Sequence, residues 1–137
     1  MGNSVTIIGD NSFRGCFSLK SITIPKSVTR IGYNAFYNCS SITSITIPNS
    51  VKSLGDYAFD SCSSLKNITI PNSITSLEED VFYGCKGLTS ITIPNSVKSI
   101  GDMAFLGCSG LTNIKIPNSV EDIGMNVFDD HTKVYRE

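Results

Sequence analysis

The sequence predicts a solenoid of about six coils, each formed by one repeat of about 23 residues, with short parallel strands on one face and turns with short helical or 3₁₀ segments opposite. The main observation is that proline, cysteine and phenylalanine each recur at one constant interval. They stand at Pro25, Pro48, Pro71, Pro94 and Pro117, at Cys16, Cys39, Cys62, Cys85 and Cys108, and at Phe13, Phe36, Phe59, Phe82, Phe105 and Phe128. One such unit cannot bury its own apolar residues, so the period indicates coils that stack and share a core.

The first part of each repeat alternates apolar and polar residues, as in Ile91, Thr92 and Ile93. This alternation predicts a short strand with one buried face. The proline that follows cannot donate to a sheet ladder, so each strand ends there and the chain bends. Equivalent strands of successive coils should therefore stack as a parallel sheet, with a spacing of about 4.8 Å.

The second part of the repeat holds another short extended piece, such as residues 97–100, followed by glycine at positions 9, 32, 55, 101 and 124. Glu78 occupies that place in one repeat, so either a positive φ is not demanded there or Glu78 is strained. The remaining D-x-A-F-x-x-C is too short for a stable helix, and we predict one helical or 3₁₀ turn. The six phenylalanines should form a buried aromatic column.

Composition limits the function classes. The chain has 137 residues, 40% of them apolar, and a formal net charge of −1 without long runs of like charge. A balanced charge provides no electrostatic footprint for nucleic acid or for an anionic membrane, so neither partner is expected. The first residues, MGNSVTIIGD, contain neither a basic region nor a long apolar run, and no segment is long enough to insert into a membrane. The chain as written therefore carries no recognisable signal peptide.

The repeat as a whole closely resembles the BspA-like, or Treponema-type, class of leucine-rich repeats. The resemblance rests on Leu or Ile at positions 19, 42, 65, 88 and 111, then I-x-I-P, then S-V-x-x-I-G-x-x-A-F-x-x-C. It implies a right-handed leucine-rich-repeat solenoid. It also implies a secreted or cell-surface protein of the kind linked to adhesion and to binding of host matrix proteins such as fibronectin and fibrinogen.

The two ends depart from the pattern. We predict a single repeat domain over 1–137, in which residues 1–18 form an uncapped partial first coil because Met1 and Gly2 stand where the pattern has Ile and Pro. At the other end His131 replaces the expected cysteine. Residues 129–137 are predicted to be an extended closing segment with Val134 pointing inward.

Little in the sequence indicates chemistry. Cysteines separated by a whole repeat match neither zinc-binding nor C-x-x-C spacing, and we interpret them as small buried residues with a weak S–H donor. His131 is the only histidine, so a histidine cluster is impossible. We therefore predict no catalytic residues, no metal site, no cofactor and no enzymatic activity.

The surface of the predicted strands remains as a binding candidate. Two polar rows should face outward there, and together they are the predicted ligand-binding residues. They are Ser21, Thr23, Ser44, Thr46, Asn67, Thr69, Ser90, Thr92, Asn113 and Lys115. A strip of hydroxyls and amides suits a protein or a glycan, but a threonine ladder is also ordinary sheet chemistry.

Two functions follow as hypotheses. The first is a non-catalytic adhesion or protein-interaction module that binds an extracellular matrix protein or glycan through this strip. The second is a structural unit, natural or engineered, that associates with itself, for instance as a homodimer, through the open edge of the first coil.

Overall fold

The structure, a computed structural model, describes residue 2 and residues 4–137. Met1, part of the predicted first coil, lies outside the described residues. The chain forms a parallel β-solenoid of about six coils, which confirms the predicted fold class. We number the coils as residues 5–24, 28–47, 51–70, 74–93, 97–116 and 120–136.

The front face carries the predicted strands. These are β3 (Ser44–Thr46), β5 (Asn67–Thr69), β8 (Asn113–Ile116) and β10 (Lys133–Arg136). β3 pairs with β5 and β8 pairs with β10, both parallel and in register. Within the described chain, residues 21–23 and 90–92 pair with no neighbour, so the predicted parallel front sheet is present but interrupted at these two segments.

The rear face carries the second extended pieces of the repeat as two three-stranded ladders. The first comprises β1 (Ile7–Ile8), β2 (Arg30–Ile31) and β4 (Ser53–Leu54). The second comprises β6 (Ser76–Leu77), β7 (Ser99–Ile100) and β9 (Asp122–Ile123). Both are parallel, and the break between them falls between coils 3 and 4.

The third side of each coil, which we call the turn face, is not helical, and the predicted helical or 3₁₀ segments are wrong for the described residues. In coil 3 the amides of Tyr57, Phe59 and Ser61 donate to carbonyls of coil 4, with N···O distances of 2.7–3.0 Å. The amides between them donate within their own coil, three residues back; they are Ala58, Asp60 and Cys62.

A left-handed residue repeats along this face and explains the alternation. Tyr57 and Ser61 both have φ of 61°, and the equivalent residues of other coils are also left-handed. A helix cannot continue through such residues. Because every second amide points to the next coil instead, the turn face joins each pair of neighbouring coils by backbone hydrogen bonds.

The core contains the predicted aromatic column. Successive phenylalanine rings from Phe13 to Phe128 are stacked with centroids 5.2–5.7 Å apart. The four middle rings are fully buried, whereas Phe13 and Phe128 at the two ends are only partly buried. Isoleucine, leucine and valine of both faces pack around the column, so each coil supplies part of its neighbour's core.

The recurring glycines of the rear turn are needed because neighbouring coils approach each other closely there, and not because the chain adopts a positive φ. None of the equivalent positions 9, 32, 55, 101 and 124 is left-handed. A Cβ on Gly101 would lie 2.7 Å from the Glu79 nitrogen of the preceding coil, and a Cβ on Gly124 would lie 2.6 Å from the Asp102 nitrogen. Glu78, which replaces glycine in coil 4, is likewise not left-handed, so the strain that we considered for it is absent.

The C-terminal segment lies along the last coil, where β10 covers the outer edge of β8. Val134 pairs in register with the buried Ile114 and so lies on the inward side of the strand as predicted, although it is 45% exposed. All four residues of β10 are exposed because no further coil packs against it in the described chain. Within residues 2 and 4–137, no helix has the length and apolar character needed to cross a bilayer.

Candidate functional site

The front face presents all ten predicted binding residues to solvent. Each of them is exposed, while the residues that alternate with them point into the core. In β3, for example, Ser44 and Thr46 face outward and Ile45 is buried. The structure therefore brings the ten residues together on one surface, as the alternation predicted, although exposure alone does not make them ligands.

The apolar layer beneath this surface is uneven. Ile45, Ile68 and Ile114 belong to paired strands and are at most 7% exposed. Ile22 and Ile91 occupy the same repeat position in the two unpaired segments and are only partly buried. Interrupted pairing thus uncovers isoleucine side chains at two places on an otherwise polar face.

Groove A lies between coils 1 and 2 and has a volume of about 770 Å³. Ser21 and Thr23 border it on one side and Ser44 and Thr46 on the other. Its apolar lining consists of Ile22, Ile24, Ile45, Ile47, Pro48 and Pro71. An apolar floor between hydroxyl-bearing rims is the usual character of a ligand site, in which few polar groups provide orientation.

Groove B lies between coils 3 and 4 and has a volume of about 530 Å³. Asn67 and Thr69 border it on one side, Ser90 and Thr92 border it on the other, and Glu137 contributes from the C-terminal end. Its lining contains no basic side chain, whereas the lining of groove A includes Lys26. The two grooves therefore differ in charge while sharing their hydroxyl and amide rims.

The backbone in both grooves remains available for hydrogen bonding. Among the described residues, no backbone hydrogen bond joins residues 21–23 to β3 or residues 90–92 to β5. The N–H and C=O groups along these edges therefore face the groove, where a polar ligand can satisfy them.

Metal-binding clusters are lacking in the described part of the chain. It holds no group of three or more His, Cys, Asp or Glu residues that could hold a metal ion. His131 lies 3.8 Å from an Asp129 oxygen at the C-terminal end of the solenoid, and neither residue lines groove A or groove B.

A family model for the BspA type leucine rich repeat region matches residues 6–135 in six copies. This chain belongs to the BspA-type leucine-rich-repeat family. The match spans nearly the whole chain and confirms the resemblance seen in the spacing of Pro, Ala-Phe and Cys.

Solved structures of other leucine-rich-repeat proteins are similar. A leucine-rich repeat protein from Bacteroides ovatus is 31% identical with a TM-score of 0.77, over 99% of this chain and 44% of that one. The T. pallidum leucine rich repeat protein is 29% identical with a TM-score of 0.79, over 95% of this chain and 67% of that one. A leucine rich cell surface protein from Faecalibacterium prausnitzii is 38% identical with a TM-score of 0.72, over 77% of this chain and 32% of that one.

This BspA-type chain thus spans less than half the length of the Bacteroides ovatus protein. Among proteins with curated descriptions, none matches it.

The cysteine of the BspA-type repeat has a structural role that the spacing indicated only in part. The thiols of Cys39, Cys62, Cys85 and Cys108 are buried, and each donates to the carbonyl oxygen of the phenylalanine 26 residues earlier, at 3.0–3.2 Å. All five cysteines are free. Each donated S–H joins one coil to the preceding one at a site where alanine could not donate.

Burial makes the inner thiols unreactive, which leads to a prediction. Desolvation raises the pKa of Cys39 to about 11 and those of Cys62 and Cys108 to about 12. Because the thiolate is the nucleophile, we expect one fast-reacting thiol per folded chain, that of the partly buried Cys16. Ellman's reagent at pH 8 should modify the other four far more slowly, because each is reached only when the coils that bury it separate.

A Cys16→Ser variant is the control, and it should lose the fast reaction while keeping the slow one. Any fast-reacting thiol in that variant would contradict the burial of the other four cysteines.

Sequence reasoning found the ten exposed residues but missed both grooves. Every repeat has nearly the same strand sequence, so nothing in the pattern distinguished the paired segments from the unpaired ones. Which strands pair is a property of the whole stack. For groove B the local signal was the replacement of glycine by Glu78 in coil 4.

Proposed function

We propose that this chain is a non-catalytic adhesion or protein-interaction module that binds an extracellular matrix protein or glycan through its front face. The observation that carries the proposal is the pair of grooves, each with a partly buried isoleucine, Ile22 or Ile91, beneath rims of Ser, Thr and Asn. Partly exposed apolar side chains beside free backbone groups favour recognition of an extended ligand.

The relatives support an extracellular location. The Faecalibacterium prausnitzii protein is described as a cell surface protein, and it is 38% identical to this chain. We place this chain on a cell surface or among secreted proteins by that likeness.

The chemistry of the grooves supports a role without catalysis. A hydrolase or transferase needs a nucleophile beside a general base, or a metal ion that activates water. The hydroxyls of Ser44, Thr46 and Ser90 have no histidine near them, since the only histidine, His131, lines neither groove. These grooves can therefore bind a ligand through shape and hydrogen bonds.

A triple substitution tests the front face. In Thr46→Glu, Thr69→Glu, Thr92→Glu, three carboxylates enter the neutral rims, and a ligand would have to desolvate them. We expect the affinity for any ligand found among fibronectin, fibrinogen and a glycan array to fall at least about tenfold. Surface plasmon resonance with the chain immobilised at low density measures it.

The matched control places the same three charges on the rear face, as Thr6→Glu, Thr29→Glu, Thr75→Glu, where all three threonines are exposed. It should bind within about twofold of the wild type. Equal binding by the two triple variants would remove the front face from consideration.

Self-association through the first coil stays a second prediction. Ile7 in β1 is 48% exposed, and Phe13 is only partly buried, so apolar surface faces outward at that end of the described chain. Light scattering during the binding experiment identifies any dimer, whose avidity would otherwise resemble high affinity.

A further inference from the structure

The interface between coils 3 and 4 differs from every other coil interface. On the rear face β4 and β6 are not paired, and on the front face β5 is not paired with residues 90–92. Every other neighbouring pair of coils keeps strand pairing on at least one face. Here the backbone hydrogen bonds that remain are those of the turn face and one from the Gly87 amide to the Ser63 carbonyl, at 3.1 Å.

Glu78 explains why β4 and β6 are not paired on the rear face. At the equivalent position of coil 3, the Gly55 amide donates to the Ile31 carbonyl of the preceding coil at 2.8 Å. A Cβ there would lie 2.4 Å from the Tyr33 nitrogen, a distance shorter than real Cβ atoms show. Glu78 has a Cβ, and the described structure contains no bond from its amide to Leu54. The residue therefore acts as a wedge that holds the rear of coil 4 away from coil 3.

Two carboxyl groups meet inside the same interface. Asp60 of coil 3 is 4% exposed, and its Oδ1 accepts a hydrogen bond from the Ser61 hydroxyl at 2.7 Å. Asp80 of coil 4 has a buried Oδ1 that receives no donor. Each carboxyl group is among the groups that shift the pKa of the other, so the two are neighbours across the interface. A proton on Asp60 satisfies the Asp80 oxygen and joins the coils, whereas two ionised carboxylates would repel.

The surroundings of this pair are acidic. The carboxyl groups of Asp56 in coil 3, Glu79 in coil 4 and Asp102 in coil 5 all raise the pKa of Asp80. Tyr57, whose hydroxyl donates to Glu79, also lies close, as do the uncharged thiols of Cys62 and Cys85. No lysine or arginine is among the groups that act on either carboxyl, so a proton is the available neutralising partner.

We propose that the interface of coils 3 and 4 is a built-in seam at which the solenoid opens locally and reversibly, wedged by Glu78 and held closed by a proton shared between Asp60 and Asp80. Loss of that proton opens the seam at neutral pH, and its return at acidic pH closes it. Groove B lies on the front side of this seam.

The sign of the pH dependence follows from burial. Desolvation raises the pKa of Asp60 to about 6, from an ordinary value near 3.8 that the residue regains once the seam is open and water enters. The closed seam therefore binds more protons between these values, and its stability falls as the pH rises through about 6. The equilibrium for opening should rise about a hundredfold from pH 4 to pH 8.

Hydrogen exchange of the full chain tests the seam residue by residue. The reporters are the amides of Tyr57, Phe59 and Ser61, which donate across the seam, and the internal reference is the equivalent amides of coil 2, at residues 34, 36 and 38. After correction for intrinsic rates, protection of the coil 3 amides should fall steeply between about pH 4 and pH 6 and level off above about pH 7, while that of the coil 2 amides changes little. Equal protection of the two sets at every pH would overturn the proposal.

Asp60→Asn distinguishes the effect of the proton from that of side-chain packing, because asparagine has a similar size but does not titrate. The asparagine amide can donate to Asp80 at every pH, so protection across the seam should become independent of pH. A pH dependence as steep as that of the wild type would remove the carboxyl pair from the mechanism.

Glu78→Gly tests the wedge independently. Coil 5 bonds to coil 4 through the amides of Lys98 and Gly101, so the amides of residues 75 and 78 should become protected when glycine lets coil 4 approach coil 3. Glu78→Gln removes the charge and keeps the Cβ, and it should leave these amides unprotected. If the two variants gained protection equally, charge and not the Cβ would hold the seam apart, and the wedge would be wrong.

Discussion

Replacing Phe82 with alanine should destabilise the solenoid by about 3 to 5 kcal/mol. Phe82 has no exposed surface, and its ring lies between those of Phe59 and Phe105, at 5.7 and 5.4 Å. Truncation leaves a cavity that the backbone on either side cannot fill, because the turn face ties coil 4 to both neighbours. Denaturation by urea, followed by circular dichroism, measures the free energy of unfolding.

Tyr83→Ala is the control for this prediction. Tyr83 is the next residue in the chain, but its side chain is exposed, so we expect a loss below about 1 kcal/mol. If the two variants lost similar stability, the aromatic column would not be a principal source of cohesion between coils.

Replacing Gly55 with alanine should cost about 1 to 3 kcal/mol, although it adds a single methyl group. The added Cβ would lie 2.4 Å from the Tyr33 nitrogen and 2.5 Å from the Gly32 carbonyl carbon, both parts of a backbone that cannot give way. Coil 3 must then move away from coil 2, with loss of the pairing between β2 and β4. Urea denaturation again provides the measurement.

Gly9→Ala is a matched control at the same position of the repeat. No atom lies within 4 Å of a Cβ at Gly9, because no described coil precedes it there. We expect stability within about 0.5 kcal/mol of the wild type, or a slight gain from the reduced freedom of the unfolded chain. A large loss in this variant would mean that glycine is needed for its conformation and not for close approach.

These two substitutions show which parts of the fold were predictable. Phe82 belongs to a column whose period is visible in the sequence, and the structure confirms that the rings stack. Gly55 also recurs, but its role could not be derived from the repeat alone. The close contact joins two successive coils, and a pattern within one coil does not contain the distance between them.

The turn face was predicted wrongly for a related reason. The segment around Ala58 and Phe59 reads as a short helical turn when only local propensity is considered. Its amides are needed by the next coil, however, and left-handed residues such as Tyr57 direct them outward. Hydrogen bonding between coils therefore prevails over the local preference for a helical turn. Tyrosine, methionine and aspartate adopt at these positions the left-handed conformation, which is rare for such residues.

The candidate site divides in the same way. Exposure of Thr46, Thr69 and Thr92 followed from alternation along each strand and could be predicted. The grooves could not, because the strands that border them have nearly the same sequence as those that pair. The burial of Asp60 could not be predicted either, because its repeat position holds residues as different as Arg14, Tyr37, Tyr83 and Leu106.

The sequence by itself determined the repeat length, the number of coils, the alternation that buries isoleucine and exposes threonine, and the column of phenylalanine. Those features arise within one coil or from exact repetition, and both can be read along the chain. Only the tertiary structure decided how closely each coil approaches the next, which strands pair, and which carboxyl groups are buried together. The physical reason is that these properties depend on contacts between coils, where a single Cβ at Glu78 or a single proton at Asp60 changes the balance.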